Sequence, residues 1–280
     1  MNSIKNLQRL TAGFRTLKKD NIIIENLKKT FWDKKQDYFQ TEDIVISAKT
    51  DIGLRRKTNQ DRYGVRFLSD GTVLLALADG LGGEPGGETA SRHVMKRLKD
   101  RTAFTGTNRS GKLVGFLNRM DREIGAMAEE NETLSGMATT LILVAIKDRH
   151  AFWAHSGDSR LYHFRNQKLT QINHDQTFAS FLINEGELSY DRAKTHYSQN
   201  VLEQYIGCLE LRPETGEIRL DQGDMIILMS DGAYRSMDEK IMSEIFKKAG
   251  TCDRASDHLI ELSISAGGKD NITVVIAKIL

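Results

Sequence analysis

Cysteine is almost missing from this chain of 280 residues: there are two, Cys208 and Cys252, at no metal-binding spacing. That excludes a disulfide framework and fits a reducing compartment. No apolar run is long enough to span a membrane, and no basic, apolar and cleavage-site succession marks a secretory leader, so the cytoplasm is the expected compartment. Charge of one sign is not in excess either. Lys and Arg number 40 against 38 Asp and Glu, which gives no argument for nucleic acid. The nucleophile signatures of covalent hydrolases are absent too, with no G-x-S-x-G elbow and no Cys beside an activating partner.

What is present centres on LLALADGLGGEPGGETAS, residues 74–91. Residues 73–78 have the length and apolarity of a buried strand; Asp79 stands at its end, and Gly80, Gly82, Gly83, Gly86 and Gly87 free the backbone for close approach to a ligand. The arrangement recurs: MIILM at 225–229 runs into Ser230, Asp231 and Gly232, while Asp270 and Asn271 lead into the apolar run 272–279. Asp61 precedes a further strand expected over 63–68. Aspartates clustered at the ends of buried strands repel one another, and divalent cations remove that cost. Oxygen donors without His or Cys suit magnesium or manganese, so the chemistry expected is that of a metal-bound water.

The first 40 residues differ from the rest, with nine basic residues against four acidic and apolar stripes at helical spacing (Ile4, Leu7, Leu10, Phe14, Leu17; then Leu27, Phe31, Trp32). Residues 1–43 read as a basic, partly helical extension and 44–280 as the main domain, its first strand over 44–52. Arg56 precedes Asn59, Gln60 and Asp61 and is a fork-shaped donor suited to phosphate. Helices are expected over 89–98, 113–130, 238–248 and 254–263, and a buried strand over 139–146. Residues 151–164 read as two strands around a Gly-Asp turn, with His155 and His163 as packed histidines. Residues 177–207 read as an inserted, polar, helical surface element. GTNRSGK at 106–112 has phosphate-loop spacing, but Leu113 stands where a hydroxyl is needed and no buried strand precedes it, so a solvated loop is expected. Strands and helices in this order, mostly hairpin-connected, argue for an α+β layered domain.

Six ordered motifs, R-x-x-N-Q-D at 56–61, ADGLGGEPGGETAS at 78–91, GMATT at 136–140, SGDSRLY at 156–162, LMSDG at 228–232 and KDNITVV at 269–275, resemble the bacterial-type protein phosphatase 2C, or PPM, family. The resemblance spans residues 46–280. It implies two packed antiparallel sheets flanked by helices, an α-β-β-α sandwich, and metal-dependent hydrolysis of phosphoserine and phosphothreonine. It further implies two Mn2+ or Mg2+ ions. Asp79 would bridge them, with the Gly80 carbonyl on one; Asp231 and Asp270 would complete the first ion's shell, and Asp61 would support the second. Arg56 would hold the phosphate, and water between the ions would attack phosphorus without a phosphoenzyme. Residues 177–207 correspond to the family's variable flap. The partner implied is a phosphorylated protein, a protein kinase or its target, met by a monomer without a transmembrane segment.

Five departures qualify that reading. Gln60 replaces an acidic residue found in many members, and Leu81 stands where animal members carry a histidine. Ser135 and Arg235 replace two aspartates of a third metal site, and Ala138 replaces a glycine. The third site is expected to be weak or absent, with reduced activity or a changed metal requirement. The alternative reading is a pseudophosphatase that binds phosphoproteins.

Overall fold

A computed structural model of the chain describes residues 35–81, 83, 86–98, 104–193 and 196–280. Among these, two antiparallel sheets lie face to face. One has the strand order β1 (Gln36–Gln40), β2 (Ile44–Asp51), β13 (Ile272–Ile279), β12 (Met225–Met229), β9 (Arg160–Arg165) and β10 (Lys168–Gln171). The other runs β11 (Glu214–Arg219), β8 (His150–Ser156), β7 (Leu141–Lys147), β4 (Val73–Ala78) and β3 (Arg62–Phe67). A small ribbon joins β5 (Gly80–Leu81) to β6 (Ala138–Thr139).

Continuous apolar strands form here because both faces are covered. In β4, Leu75 and Leu77 join the core between the sheets, while Leu74, Ala76 and Ala78 face helices α1 (Gly86–Arg97) and α2 (Arg109–Glu130). In β12, Ile226 and Leu228 point inward, and Met225, Ile227 and Met229 meet the other helical layer. That layer is α6 (Glu239–Lys248) and α7 (Cys252–Ser265). Each such side chain taken out of water contributes about 1.5–3 kcal/mol, so the three apolar layers fix the α-β-β-α sandwich.

Four expectations need correction. Residues 36–40, assigned to the extension, form β1 and pair with β2 from Gln36–Lys49 to Gln40–Val45, so the sheet begins before residue 44. The expected helical stripes of residues 1–34 lie outside the described residues. Strands β8 and β9 are no hairpin, because β8 pairs with β7 and β11 whereas β9 pairs with β12 and β10; Gly157 to Ser159 cross from one sheet to the other. Residues 109–112 are not loop but the first turn of α2, capped by the Asn108 side chain accepting from the Gly111 N–H at 3.2 Å. The strand expected over 139–146 breaks at Thr140, which leaves β6 to pair with β5. Residues 177–207 hold short helical pieces, α3 (Phe178–Asn184), α4 (Tyr190–Ala193) and a 3-10 turn at Tyr197–Asn200, closed at the base by the Phe178 N–H on the Val201 carbonyl at 2.7 Å.

Register places the chemistry. Asp51 lies opposite Ile272, Met229 opposite Val274 and Arg160, Ala78 opposite Arg62, and Ser156 opposite Leu141. The ends of β2, β4, β8 and β12 and the starts of β3, β9 and β13 therefore meet at one rim of the sandwich.

Candidate active site

At that rim a cavity of about 350 Å3 is lined by Arg56, Asp79, Gly80, Asp158, Asp231, Arg235 and Asp270, with Gln60, Leu81, Asn200 and Asn271 around them. Of the residues expected to hold metal or phosphate, Arg56, Asp79, Gly80, Asp231 and Asp270 line it, whereas Asp61 lies buried behind it and receives the Ser230 hydroxyl on Oδ2 at 2.7 Å. Ser135 lines a separate groove with Gly136, Met137 and Tyr205.

Asp79 is set by its backbone. Its N–H donates to the Thr140 hydroxyl oxygen at 3.0 Å, and its carbonyl accepts from the Thr140 N–H and the Thr139 hydroxyl, both at 2.8 Å. This explains the two threonines of GMATT. Gly80 and Gly87 bring β5 and the start of α1 backbone to backbone; a Cβ on Gly80 would stand 2.3 Å from the Gly87 carbonyl oxygen. Asp231 opens the single turn α5 (Asp231–Tyr234), and Gly232 beside it packs on the Asn271 carbonyl, 2.1 Å from where a Cβ would sit. Asn271 ties the Arg56 loop down, donating from Nδ2 to the carbonyls of Ile52 (2.9 Å) and Thr58 (3.0 Å) and accepting the Gln60 N–H at 2.8 Å.

The carboxyls are costly neighbours. Burial pushes Asp61 up to about 6 against the hydrogen bonds it receives, and burial followed by the charges of Asp61 and Asp231 holds Asp79 well above the usual carboxylate range. Burial and the charge of Asp231 raise Asp158 to about 7, against the opposing pull of Arg235. Burial also raises Asp231. Two arginines answer part of this charge. Arg56 Nη2 donates to Asp270 Oδ2 at 2.7 Å, a bond that raises the guanidinium's own pKa, and Arg235 Nη2 donates to Asp158 Oδ2 at 2.7 Å.

Oxygen-only donors, mutual repulsion and one orphan oxygen, Asp61 Oδ1, buried without a hydrogen-bond partner, suit a hard divalent cation in kind. Among the described residues no three acidic, imidazole or thiol groups stand close enough to grip an ion as they are, consistent with the arginines holding carboxylate oxygens.

The protein phosphatase 2C family model matches residues 55–261. The chain belongs to the protein phosphatase 2C family. With its bacterial relatives it is a protein serine/threonine phosphatase. It is 30% identical over 238 residues to the protein phosphatase PhpP of Streptococcus pneumoniae, covering 83% of this chain and 96% of PhpP. The serine/threonine phosphatase of S. agalactiae superposes with a TM-score of 0.79 at 29% identity, over 85% of this chain and all of that one. The catalytic domain of the serine/threonine phosphatase PstP, solved with two manganese ions, gives 0.74 at 30% identity over 85% of this chain and 99% of that one.

Against that family frame, one site residue had gone unassigned. Asp158 has no role in the sequence reading of SGDSRLY; the sheet crossing after β8 delivers it to the phosphatase cavity, held by the Tyr234 hydroxyl on its carbonyl at 3.0 Å. The signal at Asp79 is a strand followed by Asp-Gly; at Ser156–Gly157–Asp158 the order is reversed, which reads as a turn between two strands. Arg235, expected to weaken a third metal site, is also a bound member of the cavity, paired with Asp158 and Asp231. His155 is fully buried, and His163 pairs with Asp224 at 3.1 Å, so both are packed histidines.

Proposed function

We propose that the chain hydrolyses phosphoserine and phosphothreonine in proteins with two manganese or magnesium ions, held by Asp61, Asp79, the Gly80 carbonyl, Asp231 and Asp270. The observation that carries this reading is the convergence of those aspartates at one rim, where burial and neighbouring like charges raise the pKa values of Asp61, Asp79 and Asp231. When bound, such ions supply a water acidic enough to serve as the nucleophile at neutral pH. The chain's own part is placement. The Thr139–Thr140 clamp fixes Asp79, the Asn271 ties fix the loop bearing Arg56, and Arg56 exchanges a carboxylate oxygen for phosphate oxygens of the same fork geometry. In-line displacement then releases the Ser or Thr oxygen.

The reading is of a two-ion site. Ser135 lies in another groove and Arg235 puts a positive charge against Asp158 and Asp231, both of which argue against a third ion. The substrate is a phosphoprotein, a protein kinase or its target, and the flap at 177–207 beside the cavity is where its sequence would be read. A second reading, a weakly active phosphoprotein-binding module, is favoured by one observation: both cavity arginines are spent on carboxylates.

Hydrolysis of a phosphothreonine peptide with manganese titrated from zero separates the two. The phosphatase reading expects saturable metal dependence and a loss in kcat/KM on the order of a hundredfold or more in Asp231→Asn. Manganese binding without turnover in the native chain would favour the binding module.

A further inference from the structure

Arg235 uses all three guanidinium nitrogens. Nη2 donates to Asp158 Oδ2 at 2.7 Å and to the Gln199 carbonyl at 3.2 Å, Nη1 donates to Asn200 Oδ1, and Nε stands 3.4 Å from Asp231 Oδ2. One planar group therefore joins two aspartates at the ends of β8 and β12 to two consecutive residues of the flap. Asp158 is nearly buried, its side chain 8% exposed beside the like charge of Asp231, so it needs a permanent partner. A guanidinium is always charged and is the side chain that reaches several acceptors in one plane; the ammonium of lysine is a point charge on a flexible stem.

The position of this contact matters for what the flap presents. Phe178 and Phe181 stack with centroids 5.7 Å apart, and Tyr197 is 70% exposed, adjoining the turn that Arg235 holds. The flap base is already closed by main-chain bonds, from Phe178 to Val201 and from Glu203 to Gln176. A contact to Gln199 and Asn200 fixes the inner edge of the flap, the part that faces the cavity.

We infer that Arg235 is a positioning residue, a latch that ties the inner edge of the flap to Asp158 and Asp231 through the fork of its guanidinium, and so fixes the peptide-facing surface relative to the phosphate site. The latch joins the Arg235 guanidinium to two carboxylates, one side-chain amide and one main-chain carbonyl. Its kinetic consequence rests on the phosphatase reading above; its structural consequence does not.

The test is amide hydrogen exchange of the full chain in chelator, comparing native protein with Arg235→Gln, Arg235→Lys and Asn200→Ala. Loss of charge-assisted bonds is expected to speed exchange in residues 196–204 by about tenfold or more in both arginine variants, with β4 unchanged. Asn200→Ala, which spares both aspartates, is expected to give a smaller rise in the same segment. Rescue by lysine would reduce Arg235 to a charge and overturn the latch, as would unchanged flap exchange or an equal rise in β4 amides. In the kinetic arm, Arg235→Lys is expected to raise KM for a phosphothreonine peptide about tenfold more than KM for p-nitrophenyl phosphate; equal changes on both substrates would overturn the inference. Flap exchange as expected in a native chain that hydrolyses neither substrate would remove the phosphatase reading and leave the latch standing.

Discussion

The Thr140 hydroxyl accepts the Asp79 N–H and pairs with the Ser159 hydroxyl at 2.8 Å, while its methyl side lies where a Cβ on Gly157 would come within 2.6 Å. Two substitutions separate these roles. Thr140→Val keeps the volume but leaves the Asp79 N–H without its partner in a buried place, at about 1–3 kcal/mol. Thr140→Ser keeps the hydroxyl and loses a methyl, at about 1 kcal/mol. The valine variant is therefore expected to be the less stable in urea melts and to lose more kcat, because Asp79 is positioned through its own backbone. The reverse order would mean that packing against Gly157, and not the hydrogen bond, sets the site. The same residue-scale logic explains why Asp79, Asp231 and Asp270 were legible in the sequence, since each stands beside an apolar run, whereas Asp61 precedes the mixed strand RYGVRF and was legible through its motif. The partners of Arg235 were not, since a residue just past a single helical turn meets them only when the flap and β8 are in place.

Helix α1 meets the β5 ribbon through Gly80 and Gly87, and this contact reverses an ordinary rule. Glycine inside a helix is normally worse than alanine by roughly 1 kcal/mol. At Gly115 in α2, where an added Cβ would meet nothing within 4 Å, Gly115→Ala is expected to raise stability by about 0.5–1 kcal/mol. At Gly87 the same methyl would stand 2.7 Å from the Gly80 carbonyl carbon, so Gly87→Ala is expected to destabilise by about 1–3 kcal/mol and to lower activity by shifting Gly80. Chemical melts of the two variants check the opposite signs. Elements buried on both faces, such as β4, β12 and β13, showed their full extent as continuous apolar runs. The edge strands β1, β10 and β11 did not: ETGEIR of β11 alternates half-buried with exposed positions and carries charges, the pattern of an edge and not of a core. Spacing alone also made β8 and β9 look like a hairpin, because adjacency in sequence does not say which sheet a strand joins.

The whole molecule gathers its least favourable charges at one rim, and its stability should record that. A carboxyl whose pKa is higher folded than unfolded binds its proton more tightly in the folded state. Its stabilising effect is complete below the unfolded value and is lost as pH rises through the folded one. Asp61 moves from 3.8 to about 6 and Asp158 from 3.8 to about 7, so the window for loss runs from about pH 4 to pH 7. Shifts of this size correspond to a few kcal/mol at pH 8, at about 1.4 kcal/mol per unit. Groups shifted downward, such as Glu214 at about 2, act in the opposite sense, but their window lies below pH 4.5 and does not reach the interval from pH 5 to pH 8. In chelator the protein is therefore expected to be more stable in urea at pH 5 than at pH 8 by a few kcal/mol, and Asp61→Asn is expected to narrow that gap. Excess manganese should reverse the order, since an ion that binds only the folded, deprotonated carboxylates adds stability in proportion to the logarithm of its concentration. Greater stability at pH 8 than at pH 5 in chelator would show that the arginines already neutralise the rim, and that metal binding must displace them instead of relieving repulsion.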